Sequence, residues 1–371
     1  MSAYGVFQNY YSTELLRHSS DSNISWIGSV HSCLLCLVGF ITGPLFDEGY
    51  AYALLCAGSC LVVFGMFMTS LCTQFWQVML AQGICIGLGS GCLFVPSVGI
   101  VTTYFTTRKA LATGIAASGS SIAGVIYPIL FDHLQPKIGF AWTTRVIGFI
   151  MLSSLVFAIS VYRVRVLPPE KRRLLDLHAL REPPFALFSV MVFITNVGLY
   201  VPYFYIEAYA NQHHITASDL PACMVPIISA GSALGRIVPN FFADKTGPLN
   251  MLALCNGSAA IMAYCWLVVH DTPGLILFSL LYGFFSGTIV SLLPSTVASL
   301  CPSLGVFGTR MGINAFITGL GTLLGNPLAG AIMGTGSWTG TMLFCSCTLA
   351  LGSVFVVLAR FSKSPAFLAS A

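Results

Sequence analysis

Long apolar runs separated by short polar segments extend along the whole chain. A run of 18 or more residues with few charges predicts a membrane-spanning helix, because about 20 apolar residues cross the hydrocarbon core of a bilayer. Backbone groups in lipid must satisfy their own hydrogen bonds, so each such run is expected to be helical. Eleven runs qualify, near residues 24–46, 52–71, 75–105, 110–131, 143–162, 185–206, 220–243, 250–269, 274–300, 312–333 and 341–359.

The composition supports an all-α integral membrane protein. Of 371 residues, 56% are hydrophobic and 8% are charged, which no soluble core uses, and the mean hydropathy is +0.85. The 12 acidic residues lie almost wholly in predicted loops, and we find no intramembrane carboxylate pair. An enzyme would need clustered catalytic groups, so we predict no catalytic residues and no enzyme.

Metal and cofactor sites are not expected. Most of the 13 cysteines lie within apolar runs, where they pack as small side chains instead of forming disulfides or binding zinc. No Walker sequence is present, so the chain gives no support for ATP-driven pumping.

The distribution of Lys and Arg predicts the orientation. Thirteen of the 16 basic residues fall on or towards one side, which the positive-inside rule assigns to the cytoplasm. We therefore expect a multi-pass protein, in the plasma membrane, with a cytoplasmic linker and a cytoplasmic C-terminus. The basic residues are dispersed, so the net charge of +4 indicates a lipid bilayer as partner and not nucleic acid.

Features of the first half return in the second at a nearly constant offset, as expected for a duplicated bundle. The matched pairs are 196 to 202 positions apart and occur in the same order: Ser90-Gly91 with Ser286-Gly287, Asp47 with Asp244, Pro96 with Pro294, Pro128 with Pro327, and Arg108 with Arg310. We predict two six-helix halves with a central cavity: an N-terminal half at 1–162, a linker at 163–184, a C-terminal half at 185–360 and a tail at 361–371.

By the same offset, the first helix is expected to be cut. The helix beginning near Phe185 would have a counterpart starting about 14 residues before Met1, and only Ala3 to Tyr11 resemble its outer end. Nine residues cannot cross about 30 Å. The chain would then be a fragment, the product of a gene model truncated upstream, or a short form with doubtful transport competence, and it would contain eleven full spans.

Several segments together resemble the fungal monocarboxylate porter-like members of the major facilitator superfamily, over essentially the whole chain. They are YGVFQ at 4–8, ISWIGS at 24–29, RKALATGIAASGSS at 108–121 and GTRMG at 308–312. The superfamily's loop signature is similar to GPLFDEG at 43–49 and, in weaker form, to NFFADKTG at 240–247. The resemblance implies the superfamily fold, a small-molecule substrate and alternating access of a midplane site.

Arg236 carries the most specific expectation. It is the one charged residue between Leu220 and Ala243, and it matches an arginine of the family's eighth helix that is associated with anionic substrates. The resemblance therefore predicts an anion site. Ser232 stands where animal members have an acidic residue, which leaves that scheme of proton coupling without support. The alternative is that Arg236 snorkels, or pairs with Asp244 and latches a closed state.

Other polar residues of the predicted spans are candidates for the cavity wall. His31 has a pKa range suited to proton coupling, although a histidine satisfied by neighbouring groups is the commoner case. Interfacial anchoring competes for the tyrosines. The remaining candidates for substrate binding are Gln82, Tyr127, Asn196, Tyr200, Tyr203 and Asn314.

A second set is expected to act in gating on the cytoplasmic side. These residues belong to the loop signatures and to the segments at 108–121 and 308–312: Asp47, Arg108, Asp244, Lys245 and Arg310. The first signature copy lacks the usual basic residues, which weakens the charge network that such loops provide.

Two functions remain open from the sequence. The first is a secondary transporter for a small organic anion or metabolite, in which one arginine and several tyrosines would suit a bulky, weakly acidic aromatic compound. The second is a transporter-like protein that senses or regulates. The sequence does not choose between import and export, and it leaves the oligomeric state open.

Overall fold

The computed structural model describes residues 4–17, 19–105, 109–163, 177–213, 221–301 and 307–363. Within these ranges every regular element is helical. The N-terminal half contains α1 (Tyr4–Tyr10), α2 (Asp21–Asp47), α3 (Ala51–Thr69), α4 (Phe75–Val78), α5 (Ile86–Tyr104) and α6 (Lys109–Val161). The C-terminal half contains α7 (Pro183–Gly198), α8 (Val201–Gln212), α9 (Met224–Thr246), α10 (Pro248–Cys265), α11 (Thr272–Ser299), α12 (Phe307–Gly334) and α13 (Trp338–Lys363).

Short π-helical and 3₁₀ segments join some of these elements. Tyr11–Leu15 extends α1, and Met79–Cys85 connects α4 to α5, so that α4 and α5 act as one span. The 3₁₀ segments are Leu177–Arg181, Pro221–Cys223 and Trp266–Val268.

All eleven predicted spans are helical. Nine helices of the described residues are long and apolar enough to cross a membrane. One of the nine covers two predicted spans, because α6 contains a kink at Gly139, whose backbone angles, φ 76° and ψ 166°, are not helical. The remaining span is α9, which contains Arg236 and falls outside the nine. Nine, plus one for the division at Gly139 and one for α9, gives eleven.

The seventh span differs from its prediction. A single helix is expected over 185–206, whereas the structure ends α7 at Gly198 and begins α8 at Val201. Pro202 lies at the start of α8, where a proline without an N–H is tolerated. The break places Leu199 and Tyr200 near the middle of the span.

The packing has the inverse polarity of a soluble protein. Large apolar side chains face outward, with Phe157 70% exposed and Leu254 63% exposed, whereas Asn240 and Asn256 are fully buried. Such an outer surface is suited to lipid, and polar side chains lie between the helices.

Helix packing repeats across the two halves. A Cβ atom added at Gly91 of α5 would lie 2.5 Å from Val38 of α2, and one added at Gly287 of α11 would lie 2.5 Å from the Ser232 Oγ of α9. The matched glycines therefore bring equivalent helices into close contact, as a duplicated architecture requires.

The halves meet along two long contacts, α2 with α12 and α6 with α9. We call the end of the bundle that carries Lys109, Asp244 and Lys363 the linker end, and the end that carries Tyr11 and Gln212 the far end. At the far end α1 packs on α8. The halves thus touch at both ends and enclose space between them.

The close contact of α9 with α11 makes a stability prediction. A Cβ at Gly235 would overlap the carbonyl oxygen of Phe284, so Gly235→Ala requires the helices to separate. We expect a loss of about 1 to 3 kcal/mol, visible as a lower melting temperature of the purified protein in detergent.

Gly257→Ala is the matched control, because no atom lies within 4 Å of a Cβ at that helical position. It should be neutral or stabilising by up to about 1 kcal/mol. Equal melting temperatures for the two variants would contradict the tight contact.

Candidate functional site

A central cavity of about 260 Å³ lies between the two halves. The N-terminal half contributes residues of α2, α5 and α6, and the C-terminal half contributes Tyr200 and residues of α9, α11 and α12. Its walls are mainly apolar, with a few polar side chains placed around it. Sites of this kind bind small molecules by burying an apolar body and orienting it through few polar contacts.

Arg236 is the charged side chain of this cavity within the described residues, and it is 8% exposed. Its Nη1 donates to the Ala117 carbonyl oxygen at 2.9 Å and to the Ser120 Oγ at 2.8 Å, both on α6 of the opposite half. Its Nε donates to the Ser232 Oγ at 3.3 Å. Arg236 therefore connects the C-terminal half to the N-terminal half by hydrogen bonds.

The guanidinium keeps unused donors. Five N–H groups are available to an arginine, and three of those of Arg236 have acceptors. Nη2 has no hydrogen-bond acceptor in the described part of the chain, and no carboxylate there pairs with Arg236. A buried cation without a counter-charge is an environment that favours an anionic ligand.

Asn314 and Tyr200 line the same cavity. Asn314 is 1% exposed, and its Oδ1 has no hydrogen-bond partner among the described groups. Tyr200 lies at the break between α7 and α8. The cavity therefore combines a donor group, an acceptor and an aromatic ring.

A second cavity, of about 160 Å³, lies mostly within the N-terminal half. His31, Gln82 and Tyr127 line it, and Phe204 of α8 closes one side. Gln82 Oε1 accepts a hydrogen bond from the Tyr11 hydroxyl at 2.6 Å. Ser120 lines both cavities, so the two cavities are adjacent to each other at this residue.

Two predicted residues are not brought into either cavity. The Asn196 Nδ2 donates to the Val192 carbonyl oxygen of its own helix at 2.8 Å, and its side chain is 3% exposed. The Tyr203 hydroxyl bonds the Ser286 Oγ at 3.0 Å. Both side chains are buried between helices, because the faces of α7 and α8 that carry them turn towards neighbouring helices.

Asp244 connects the halves at the linker end. Its carboxylate oxygens accept the backbone N–H groups of Ala110 and Leu111, both at 3.3 Å. These are the first-turn donors of α6, which have no partner within the helix, and a carboxylate there also interacts with the helix dipole. Asp244 is thus bound to α6, and the alternative in which Arg236 pairs with Asp244 is wrong.

The other predicted gating residues differ in their placement. Lys245 lies over the ring of Phe241, 4.7 Å from its centroid. Arg310 forms a pair with Glu182, with Nη1 to Oε2 at 2.8 Å. Glu182 directly precedes α7 and Arg310 lies on α12, so the pair fastens α12 to the start of α7 and does not join the halves. The Asp47 side chain and Arg108 lie outside the described residues.

The Arg310–Glu182 pair also affects the pKa of the carboxyl group. Hydrogen bonds from Arg310 lower the pKa of Glu182 from its ordinary value, while partial burial opposes the change. Glu182 is 40% exposed and Arg310 is buried, so solvent reaches the carboxylate of the pair.

A polar network at the far end was not predicted from the sequence. The Ser25 Oγ bonds the Tyr205 hydroxyl and accepts from the Gln8 Nε2, and the Tyr205 hydroxyl bonds the Asn326 carbonyl oxygen. Asn9 Nδ2 donates to Glu207 Oε1 at 2.6 Å.

Glu207 is a carboxyl group within a span, at 5% exposure, and Asp132 of α6 is close enough to interact with it electrostatically. Neither carboxyl group lines the central cavity, so the expectation of a cavity without a carboxylate pair is not contradicted. Glu207 stands at the end of an apolar run, which was the only signal available in the sequence.

A two-half bundle of membrane-crossing helices around a mainly apolar cavity that contains a buried arginine is the architecture of a membrane transporter. The chain belongs to the Major Facilitator Superfamily, whose sequence profile matches residues 1–307 and 224–369. It is a transporter and not an enzyme, as expected from the sequence.

Curated fungal transporters are similar to the chain over nearly its full length. The MFS-type transporter dbaD of Emericella nidulans is 42% identical over 362 residues, which is 97% of this chain and 82% of the relative. The aspyridones efflux protein apdF of the same fungus is 38% identical, over 97% of this chain and 74% of the relative. The agnestins efflux protein of Paecilomyces divaricatus is 35% identical, over 96% and 82%.

The Arg310–Glu182 pair makes a pH prediction. A carboxyl group with a lowered pKa in the folded state stabilises the fold above its unfolded pKa, and this contribution is lost as the pH falls through the folded pKa. Glu182→Gln should therefore melt below the wild type near neutral pH, and the difference should shrink as the pH drops below about 4.5.

Glu14→Gln is the control, since Glu14 pairs with Arg17 on the exposed surface, where a salt bridge contributes about 0 to 1 kcal/mol. A Glu182 difference that grows on acidification would contradict the pairing.

Proposed function

We propose that the protein exports a weakly acidic, largely apolar secondary metabolite by alternating access. The observation that carries the proposal is the buried Arg236, which lines a mostly apolar cavity and whose Nη2 donors have no acceptor among the described residues. Two similar proteins are named efflux proteins, one for aspyridones and one for agnestins, and this supports the export direction.

The substrate's acidic group is placed at Arg236. A carboxylate or enolate oxygen accepts charge-assisted hydrogen bonds from a guanidinium, which are about twice as strong as neutral ones. Ser232 occupies the position of the family's acidic partner, so the substrate supplies the counter-charge. Asn314 and Tyr200 then orient the part of the molecule that carries its other polar groups.

Opening to one side requires specific contacts to break. At the linker end these are the Asp244 bonds to the start of α6. Arg236 holds Ala117 and Ser120 of the same helix from within the cavity. An anion bound to Arg236 competes with those two acceptors for the N–H groups of its guanidinium. Substrate binding therefore weakens one link between the halves and leaves the Asp244 link to be released.

The orientation follows from charge. The sequence assigns 13 of the 16 basic residues on or towards one side, so we place the linker and the C-terminus in the cytoplasm, and the protein in the plasma membrane. The monocarboxylate porter-like subtype is part of this proposal and rests on the sequence segments at 4–8, 24–29, 108–121 and 308–312.

Arg236→Lys tests the anion site. Lysine keeps the charge but loses the planar fork, so we expect the apparent affinity for the exported compound to fall about ten- to a hundredfold. The measurement is mass spectrometry of acidic metabolites in the medium and in the cells of a deletion strain that carries either form. The deletion strain should retain a compound that the wild type secretes.

Arg360→Lys is the matched control, since Arg360 is also buried but binds Asn250 on α10, away from the cavity. It should restore secretion. Equal apparent affinity in the Arg236→Lys strain would overturn the anion site. Unchanged secretion by the deletion strain would overturn export and favour the sensing or regulatory alternative.

Proton coupling through His31 is also proposed, because its imidazole lines the second cavity. His31→Gln keeps a polar side chain of similar size without a titratable ring. We expect export to lose its dependence on external pH in this variant, measured as the rate of secretion across a pH series. Retained pH dependence would remove His31 from the mechanism.

A further inference from the structure

Glu207 is a carboxyl group placed in the contact between the two halves at the far end. It lies on α8 and is 5% exposed. Its neighbour across the contact is Asn9 in α1, whose Nδ2 donates to Oε1 at 2.6 Å. Since α1 and α8 belong to different halves, the environment of Glu207 exists only while the far end is closed.

The second oxygen of Glu207 has no hydrogen-bond partner among the described residues. Oε2 is buried, and none of the described groups forms a hydrogen bond with it. An ionised carboxylate that loses water and gains one neutral donor is strongly destabilised, because burial of a charge requires a counter-charge or a full set of hydrogen bonds. The neutral acid avoids that cost.

The surrounding charges also disfavour the ionised form of Glu207. The charged group that faces Glu207 is Asp132 of α6, half-buried and of the same sign. Neither carboxyl group forms an ion pair within the described chain. From the other helices packed on α8, α1 presents the neutral Asn9, and the charged residues of α9 and α12 lie at the cavity or the linker end.

We propose that Glu207 is a proton-binding site of this transporter. The carboxyl group carries a proton on Oε2 while α1 and α8 are in contact, and it releases that proton to water when the far end opens. On closure an O–H bond forms with a proton taken from the aqueous phase at the far end. The inference concerns an ion that binds the protein, goes beyond the proposed export and does not depend on the identity of the substrate.

The helix break links this site to the central cavity. α8 begins at Val201, directly after Tyr200, which lines the cavity, and the same helix carries Glu207 two turns further on. Movement of α8 about the break would therefore change the cavity wall and expose Glu207 together. Acidification at the far end should favour the closed contact, because proton binding and closure are coupled.

Infrared spectroscopy of the purified full chain in lipid nanodiscs tests the protonation. The wild type should show the carbonyl band of a protonated carboxylic acid at neutral pH, and Glu207→Gln should lose it. Asp132→Asn is the control and should retain the band. An unchanged band in Glu207→Gln would overturn the proposal, as would loss of the band in Asp132→Asn alone.

Hydrogen exchange tests the link to closure. In the wild type, residues 4–10 and 201–212 should exchange faster as the pH rises, after correction for the intrinsic pH dependence of amide exchange. The same segments of Glu207→Gln should stay protected, because its amide keeps the Asn9 contact and cannot ionise. The helix Pro248–Cys265, away from the contact, provides the internal control.

Equal pH dependence in the two forms would overturn the coupling, and the unchanged protection of the control helix would show that Glu207→Gln is folded. Neither measurement requires transport. Their failure would leave the proposed export standing, and failure of export would leave the proton site standing.

Discussion

A buried cation where the two halves meet, Arg236, constrains the centre of this protein. Arg236 lies in apolar surroundings with neutral acceptors, and its neighbours are arranged to hold it there. The Asn240 Nδ2 donates to the Arg236 carbonyl oxygen at 2.7 Å and to the Ser291 Oγ at 2.6 Å. A Cβ at Gly114 would overlap the same carbonyl oxygen, so α6 approaches α9 closely at this level. The contact between the halves and the position of the charge are therefore fixed together.

The lengths of the apolar runs predicted the spans, because the bilayer sets the length of a helix and lipid forbids other backbone structures. The repeat offset predicted the two halves, since duplication preserves the glycines and prolines that helix packing needs. Arg236 was found because a charge in a span is costly and therefore rare. These properties are local, and a single sequence contains them in full.

The remaining features depend on contacts between distant segments. Hydropathy gives the length of a span and not its rotation, so Asn196 could not be distinguished from a residue that lines the cavity. From the sequence, Glu207 is only the boundary of the apolar run at 185–206, because an acidic residue at the end of an apolar stretch usually meets water. Its burial results from Asn9, which is 198 positions away in the sequence. The break before Val201 had only a weak signal in Pro202, which is also tolerated in unbroken helices.

Ser120 belongs to the walls of both cavities and also accepts a hydrogen bond from Arg236. A molecule small enough for the central cavity leaves that wall intact. A longer one that reaches past Ser120 must turn the serine hydroxyl aside and so deprive Arg236 of an acceptor on the opposite half. A longer bound molecule would therefore weaken the contact between the halves. Ser120 would then connect the length of a bound molecule to the contact between the halves.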